Sequence, residues 1–516
     1  MFFKKLKFTL FIILLYQTPL YSKSTSFDDF SSKNLSNYFS GIVAFEEKNN
    51  SEALKFFQSS KILIDKHDPY LKRYVYSLVL ENKVTQAINV IKKNKDKNNI
   101  NFFEAHLLLI LDSLKKSNFN KLDRFNVAVL ESLKQYIYVF NENKILENKK
   151  NLGKLSDITE TFQRCYLGDN STDIYFDKLI NRSEEDYTRY IYFYLSYLIE
   201  NNNLEDAKKL TNEIDYINTT LLLSQGKNWI QNNKDEKLTN VFSCQNPNDI
   251  IGEFLFLISN LYSSMDEFKK SNFYLNLSNF LNPKFIFNLS LVAENHYYKK
   301  AKKILKNFKK EDNFYYWYRV KKEAQIIAKQ RNKKESLNYI TAEFNKIDRP
   351  NNKILFDIAN FYKNSKEYEE AVKYYTIVIN NLENMSEIKS DLLYRRGGSY
   401  ERLGDYENAD KDLLKSLKSD PEDAYILNYL AYSWLERDYK INEAIKMLEK
   451  AYSYKSNDPY IIDSIGWAYY LVNDYLKAEK FLKRAVELMP EDPIVNDHYG
   501  DIFGKMFLKW MMLKRK

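Results

Sequence analysis

The sequence predicts an all-α chain of antiparallel helix pairs stacked into a superhelix, an α-solenoid. Three observations predict it. Small residues recur twelve positions apart, as Gly466 and Ala478, Gly397 and Ala409, and Gly41 and Ala53. The anchors return with a fixed period: Ala444 to Ala478, Ala451 to Ala485 and Ala53 to Ala87 are each 34 residues. Glycine (11) and proline (9) are scarce in 516 residues, which favours helices joined by short Asn, Asp and Lys connections.

Each anchor has a physical reason. Gly466 or Gly397 on a first helix lets the second helix approach closely, at a helix-propensity cost of about 1 kcal/mol. Ala478 or Ala409 fills the facing position with least bulk, and Tyr469 or Tyr400 supplies the large neighbour. Pro421 and Pro490 stop the second helix and open the next pair. One pair cannot bury its own apolar faces, so successive pairs must stack.

Residues 1–22 have the layout of a signal peptide. Lys4, Lys5 and Lys7 precede an apolar run from Phe8 to Tyr16, and Leu20-Tyr21-Ser22 offers a cleavage site. The run is too short to span a bilayer, and no cysteine follows it for a lipoprotein anchor. The expected product is a soluble protein exported to the periplasm or cell envelope; retention as an N-terminal anchor is the alternative. Residues 30–119 carry helix pairs centred on Gly41/Ala53 and Val75/Ala87. Residues 120–186 fit the period poorly and read as a divergent or irregular helical segment. Residues 187–350 hold degenerate pairs at Leu195/Ala207, Ser259/Ser271, Leu289/Ala301 and Ala328/Ser336. Residues 351–516 form the well-made array, from Ala359/Ala371 onward. Within it, Ala409 to Ala444 is 35 residues, the extra one lying in RDYKINEA against GDYENA. The last repeat is expected to be truncated and followed by a basic, apolar tail.

Cys165 and Cys244 lie 79 residues apart. In an oxidising compartment they can pair, and so long a loop would contribute roughly 4 kcal/mol. Two unpaired buried thiols are the other reading.

The anchors Ile462, Ile465, Gly466, Tyr469, Ala478, Leu482 and Pro490 resemble the tetratricopeptide repeat (TPR), as do Leu393, Gly397, Tyr400, Ala409, Leu413 and Pro421. The resemblance implies an all-α, TPR-type α-solenoid, a right-handed superhelix of antiparallel helix pairs. YILNYLAYSWLERD, the stretch from DPYIIDSIGWAYY to NDHYGD, and FSCQNPNDIIGEFLF are similar to one group of exported alphaproteobacterial TPR proteins, as is the N-terminal LSNYFSGIVAFEEKNNSEALKFF. The likeness covers most of the chain and is weakest in the middle. It implies no established activity. The chain departs from the group after NDHYGD, where IFGKMFLKWMMLKRK replaces a full second helix.

Composition excludes several functions. The net charge of +9 comes from 78 basic and 69 acidic residues interspersed throughout, so no nucleic-acid-binding face is expected. The 42 tyrosines and 34 phenylalanines accompany abundant Ile, Lys and Asn, a mix that A/T-rich codons produce without selection for ligand stacking. His67, His106, His296 and His498 form no H-E-x-x-H and lie far in sequence from either cysteine. No phosphate-cradling loop occurs, and GGSY at 397–400 lacks the glycine of a nucleophile elbow. No catalytic residue, cofactor or metal site is assigned, and the chain is read as a non-enzyme. An enzyme with a site within 120–186 is the rival reading.

What remains is a surface for a protein or peptide. The TPR resemblance implies that the first helix of each pair lines a concave groove. There the sequence places Tyr394 and Arg402, then Tyr425, Asn428 and Tyr432, then Tyr460, Asp463, Trp467 and Tyr470. A Tyr- and Trp-rich groove suits an extended peptide or a partner helix; the alternative is that these rings pack between repeats. Lys353, Phe356, Asn360 and Lys363 hint at carboxylate capture, but the basic residues do not recur in the next repeats. The expected role is an envelope scaffold or adaptor, with a structural subunit of an envelope assembly complex as alternative. The tail, apolar from Met506 to Leu513 and ringed by Lys505, Lys509, Lys514, Arg515 and Lys516, is expected to be a poorly structured end left by truncation; weak contact with an anionic membrane surface, or with a partner, is the alternative.

Overall fold

The computed structural model describes residues 31–94, 100–117, 128–145, 154–181, 188–214, 220–294, 298–308, 313–382 and 387–514. The expected leader and cleavage site lie outside them, as do His296 and residues 515–516 of the tail. Among the described residues the regular structure is helical, with no strand.

The helices run as follows. α1 (Ser32–Glu46) pairs with α2 (Asn50–Ser59), and α3 (Asp68–Leu80) with α4 (Val84–Lys93). Next come α5 (Phe103–Lys115), α6 (Ala128–Glu142), α7 (Lys154–Leu167) and α8 (Thr172–Ile180). The middle holds α9 (Thr188–Glu200), α10 (Leu204–Glu213), α11 (Leu221–Gln231) and α12 (Glu236–Val241). It continues with α13 (Pro247–Ser264), α14 (Phe268–Leu281), α15 (Leu289–Glu294) and α16 (Tyr298–Leu305). The C-terminal pairs are α17 (Asn313–Gln330) with α18 (Lys333–Phe344), α19 (Asn352–Asn364) with α20 (Tyr368–Asn381), and α21 (Glu387–Arg402) with α22 (Tyr406–Ser419). Then follow α23 (Ala424–Leu435) with α24 (Ile441–Tyr454), α25 (Pro459–Leu471) with α26 (Tyr475–Leu488), and the unpaired α27 (Pro493–Lys514).

One turn recurs throughout and explains the scarcity of glycine. At the end of α25, Asn473 N–H donates to Tyr470 O at 3.0 Å and Asp474 N–H to Tyr469 O at 2.9 Å. That is a Schellman closure, and Asn473 takes its left-handed position at φ 61°. Lys48, Asn82, Asn202, Asp266, Lys366 and Asp438 hold positive φ in the corresponding turns. Asn and Asp tolerate this conformation better than most residues. The residue after the left-handed one then caps the next helix: Asp405 accepts from Asn408 N–H and Asp474 from Lys477 N–H, each at 3.3 Å. Between pairs a second cap repeats. Asp423, Asp458 and Asp492 each accept two backbone N–H groups at the start of α23, α25 and α27.

The small-residue positions are tight. A Cβ on Gly466 would lie 2.8 Å from Leu482 Cγ and 3.1 Å from its backbone nitrogen; one on Gly397 would lie 2.9 Å from Leu413 Cγ. Ala53, Ala87, Ala409, Ala444, Ala478 and Ala485 have no exposed surface. Ser259 and Ser271 join their hydroxyls at 2.9 Å where other pairs use Gly and Ala. One copy needs a new register. Ser336 donates to Ala324 O at 2.7 Å, and Ala324, not the half-buried Ala328, is the small residue of the α17–α18 pair.

The chain divides into two compact units. The first holds residues up to Tyr190 and Thr239–Tyr297. In it the α13–α14 pair packs on helices far away in sequence. Tyr76 on α3 stacks on Phe273 at 4.6 Å. Asn276 Nδ2 donates to Val79 O at 2.8 Å, and Lys269 pairs with Glu46 at 2.9 Å. Lys115 on α5 lies over the Phe280 ring at 3.9 Å, and Tyr136 on α6 meets Phe254 edge-on at 5.8 Å. A further long-range ion pair is bidentate. Arg189 makes two hydrogen bonds to buried Glu253, at 2.8 and 2.7 Å, and a third to Asn288 at 2.8 Å. Burial pushes the Glu253 carboxyl up, against the pull of Arg189. Cys165 and Cys244 are joined in a disulfide with Cα atoms 5.6 Å apart, so the paired reading holds. The abundant rings serve the core here: Tyr38, Tyr70, Tyr136 and Phe162 are among its largest fully buried side chains.

The second unit holds Ile191–Leu238 and Tyr298–Lys516. Its C-terminal pairs stack in order, each on the next. Trp317, Val320, Ala359, Tyr375 and Leu392 build one core; Leu413, Ala431, Trp434, Leu448, Ile465, Leu482 and Ile502 build another. Arg396 bonds Asp412 twice, at 2.6 and 2.8 Å, and locks α21 to α22. The last repeat is a single long helix, α27.

Candidate peptide-binding face

The first helices of the last pairs lie side by side, α23 on α25 and α25 on α27. This follows from the stacking rule, because each pair must hide the apolar flank of its predecessor. The outward sides of these helices then form one continuous face.

The predicted groove residues fall into three kinds of place. Tyr425 and Tyr460, at matching positions just after the capping Asp423 and Asp458, are 49% and 56% exposed. Lys455 Nζ lies 4.9 Å from the Tyr425 ring. Arg402 is also exposed and sits 3.4 Å from Glu401. Tyr394 faces inward instead: its ring meets Tyr429 edge-on at 5.6 Å and packs on the C-terminal core. The rest gather in one cluster. Asp463 is buried, and its Oδ2 lies 2.9 Å from His498 Nδ1 on α27. Trp467 is stacked on His498 at 4.2 Å and on Tyr470 at 4.8 Å. Tyr432 lies 6.4 Å from His498. Burial raises the Tyr432 hydroxyl above the ordinary phenol range, with Glu436 and Asp463 adding to it, so it stays protonated.

Three polar atoms on this face are buried without a hydrogen-bond partner: Asn428 Oδ1, Asp463 Oδ1 and Trp467 Nε1. Such groups usually find partners.

Sequence reasoning gave His498 no role on this face. Its signal is positional: it falls 34 residues after Ser464, which follows Asp463, so the next first helix brings it over Asp463. Two of the carboxylate-capture residues, Lys353 and Asn360, are already engaged. Lys353 lies 3.4 Å from Asp357, and Asn360 Oδ1 accepts from Tyr375 at 2.6 Å and Arg395 at 3.3 Å. Among the described residues no three His, Cys, Asp or Glu side chains are grouped to hold a metal ion. No described helix is long and apolar enough to cross a membrane.

The family model for the tetratricopeptide repeat matches residues 353–379 and 390–423. These are helices α19–α22 and the loop after them. A TPR repeat-containing protein of Pseudomonas aeruginosa is 32% identical over 111 residues, which is 22% of this chain and 19% of the relative. The match therefore spans about a fifth of that relative's length. Among solved structures the chain is similar to MamA from Desulfovibrio magneticus RS-1, at 18% identity and TM-score 0.29, covering 34% of this chain and 97% of that one. It is similar to YrrB, described as a TPR protein with an unusual peptide-binding site, at 15% identity and TM-score 0.27, covering 35% and 89%. It is also similar to the first TPR of Spaghetti (RPAP3) bound to an HSP90 peptide, at 18% identity and TM-score 0.23, covering 24% and 98%. With the family model and the helix-pair geometry in agreement there, residues 353–379 and 390–423 are tetratricopeptide repeats.

Proposed function

We propose that this chain is a non-catalytic scaffold of the bacterial cell envelope, and that the face of α21, α23, α25 and α27 holds an extended peptide or a partner helix. The observation that carries the reading is the face itself. It is continuous over successive repeats, rimmed by exposed Tyr425 and Tyr460, and polar at its centre. Tyrosine rings supply contact area at low entropic cost, and the central polar groups fix orientation. Envelope location is supported by the leader-like N-terminus and by the Cys165–Cys244 disulfide, a bond that persists in oxidising compartments.

Pull-down from envelope extracts with the exported chain tests the scaffold reading. Capture is expected for the native chain and not for the Tyr432→Ala/Trp467→Ala double variant, provided its helical circular dichroism is unchanged. Retained capture by the folded variant would move the binding surface elsewhere. Fractionation of expressing cells tests location: the chain should appear in the periplasmic fraction, and a wholly cytoplasmic pool would contradict the reading. The tail contributes a weaker contact in this reading. Liposome co-sedimentation with anionic vesicles should fall when residues 505–516 are removed, and equal binding would dismiss the membrane contact.

A further inference from the structure

We infer that the Asp463–His498–Trp467 cluster is a subsite for a positively charged peptide side chain, best fitted by arginine. The inference rests on the proposed use of this face for peptides and names what it selects. Asp463 offers one carboxylate oxygen to His498 and has the other free. The Asp463 side chain is 7% exposed. Among the described residues no lysine or arginine pairs with it.

A buried carboxylate oxygen without a donor is costly, and a charged donor meets it about twice as strongly as a neutral one. Asn428 Oδ1, at the matching position on α23, is a second acceptor without a donor. The face thus presents two acceptors, which suits a group rich in N–H donors. Trp467 Nε1 is the complement, a donor without an acceptor. Asp463 and Trp467 are one turn apart on the same side of α25, so a bound side chain and a nearby peptide carbonyl can satisfy both at once.

The rings discriminate between cations. Tyr470, Trp467 and His498 form a layered stack, with interplanar angles of 14° and 15°. Tyr432 stands next to it. A planar guanidinium can lie against flat rings and donates in a fixed fork, whereas an ammonium offers a compact, strongly hydrated charge. Arginine is therefore preferred over lysine, and an acidic side chain is repelled by Asp463.

The test uses the full chain and a fixed alanine–serine peptide frame whose central residue is Arg, Lys, citrulline or Glu, titrated by calorimetry. The Arg peptide should bind about tenfold more tightly than the citrulline peptide, which has the same shape without the charge. Asp463→Asn, which keeps the size and an acceptor for His498, should erase that difference. Trp467→Phe, which keeps the ring stack and removes the Nε1 donor, should weaken the Arg and citrulline peptides alike, by roughly threefold to tenfold. Unchanged melting temperatures would show that both variants remain folded. Equal affinity for Arg and citrulline, an Arg preference that survives Asp463→Asn, or no binding of any peptide would overturn the subsite. Those results leave the scaffold reading to the pull-down, where loss of capture in the Tyr432→Ala/Trp467→Ala variant would still uphold it.

Discussion

The two units use the same helix pair to different ends. In the C-terminal pairs each helix meets its neighbours in sequence, as a repeat array should. In the first unit α13 and α14 return to α3, α5 and α6, bridging about two hundred residues through contacts such as Asn276 to Val79. The first arrangement leaves Tyr425 on α23 and Tyr460 on α25 exposed. The second covers the corresponding surfaces of α3 and α5 with protein. A repeat sequence therefore does not by itself give an open face. What decides is whether a later pair carries the side chains to fill it, and Tyr76 on Phe273 and Lys115 over Phe280 are those side chains.

The sharpest way to break this contrast is at Arg189. Replacing it by alanine strands buried Glu253 without its cation, at a cost of about 3–5 kcal/mol. The first unit should melt earlier, while near-ultraviolet signals from Trp434 and Trp467 in the C-terminal pairs keep their native transition. Cys165→Ala/Cys244→Ala should act on the same unit by about 2–4 kcal/mol, read as a lower denaturant midpoint. Gly466→Ala works in the other region. Its new methyl meets Leu482 side chain and backbone, so about 1–3 kcal/mol should be lost from the C-terminal transition. Combined with the cysteine pair, the two losses should add, since the sites share no partner. Asp458→Ala removes the cap of α25 and should cost about 1 kcal/mol.

The smallest effect concerns pH. Asp169 accepts from the Ser171 side chain and backbone, which hold its carboxyl below the usual range, with Arg164 adding to this. A depressed carboxyl stabilises the fold above its unfolded pKa and loses that contribution as pH falls through the folded value. Asp169→Asn should thus lower stability slightly at neutral pH and leave it unchanged in strong acid, as followed by thermal melts against pH.

Much of the array was legible in the sequence because its anchors are set by local geometry. A twelve-residue spacing between Gly466 and Ala478 is what two antiparallel helices and a tight turn require. The turn chemistry was legible too, since Asn473, Asp438 and Lys366 stand where a left-handed residue is needed. The α17–α18 register slipped because Ala324 and Ala328 both lie one turn apart on one helix, and only the Ser336 bond to Ala324 O tells them apart. The return of α13–α14 was hidden because Tyr76, Phe273 and Asn276 look like ordinary helix residues until tertiary packing joins them. On the candidate face, the exposed tyrosines were named from spacing alone. The burial of Asp463 under His498 was not, because one repeat cannot show what the next places over it.

Hydrogen exchange of the full chain in mild denaturant, followed peptide by peptide, tests the central contrast most directly. If the first unit is closed on itself and the C-terminal pairs form a nearest-neighbour array, α3 and α14 should open together at one free energy, while α27, α25 and α23 open progressively from the C-terminal end. Separate opening of α3 and α14, or a single concerted opening of α19 to α27, would contradict the account.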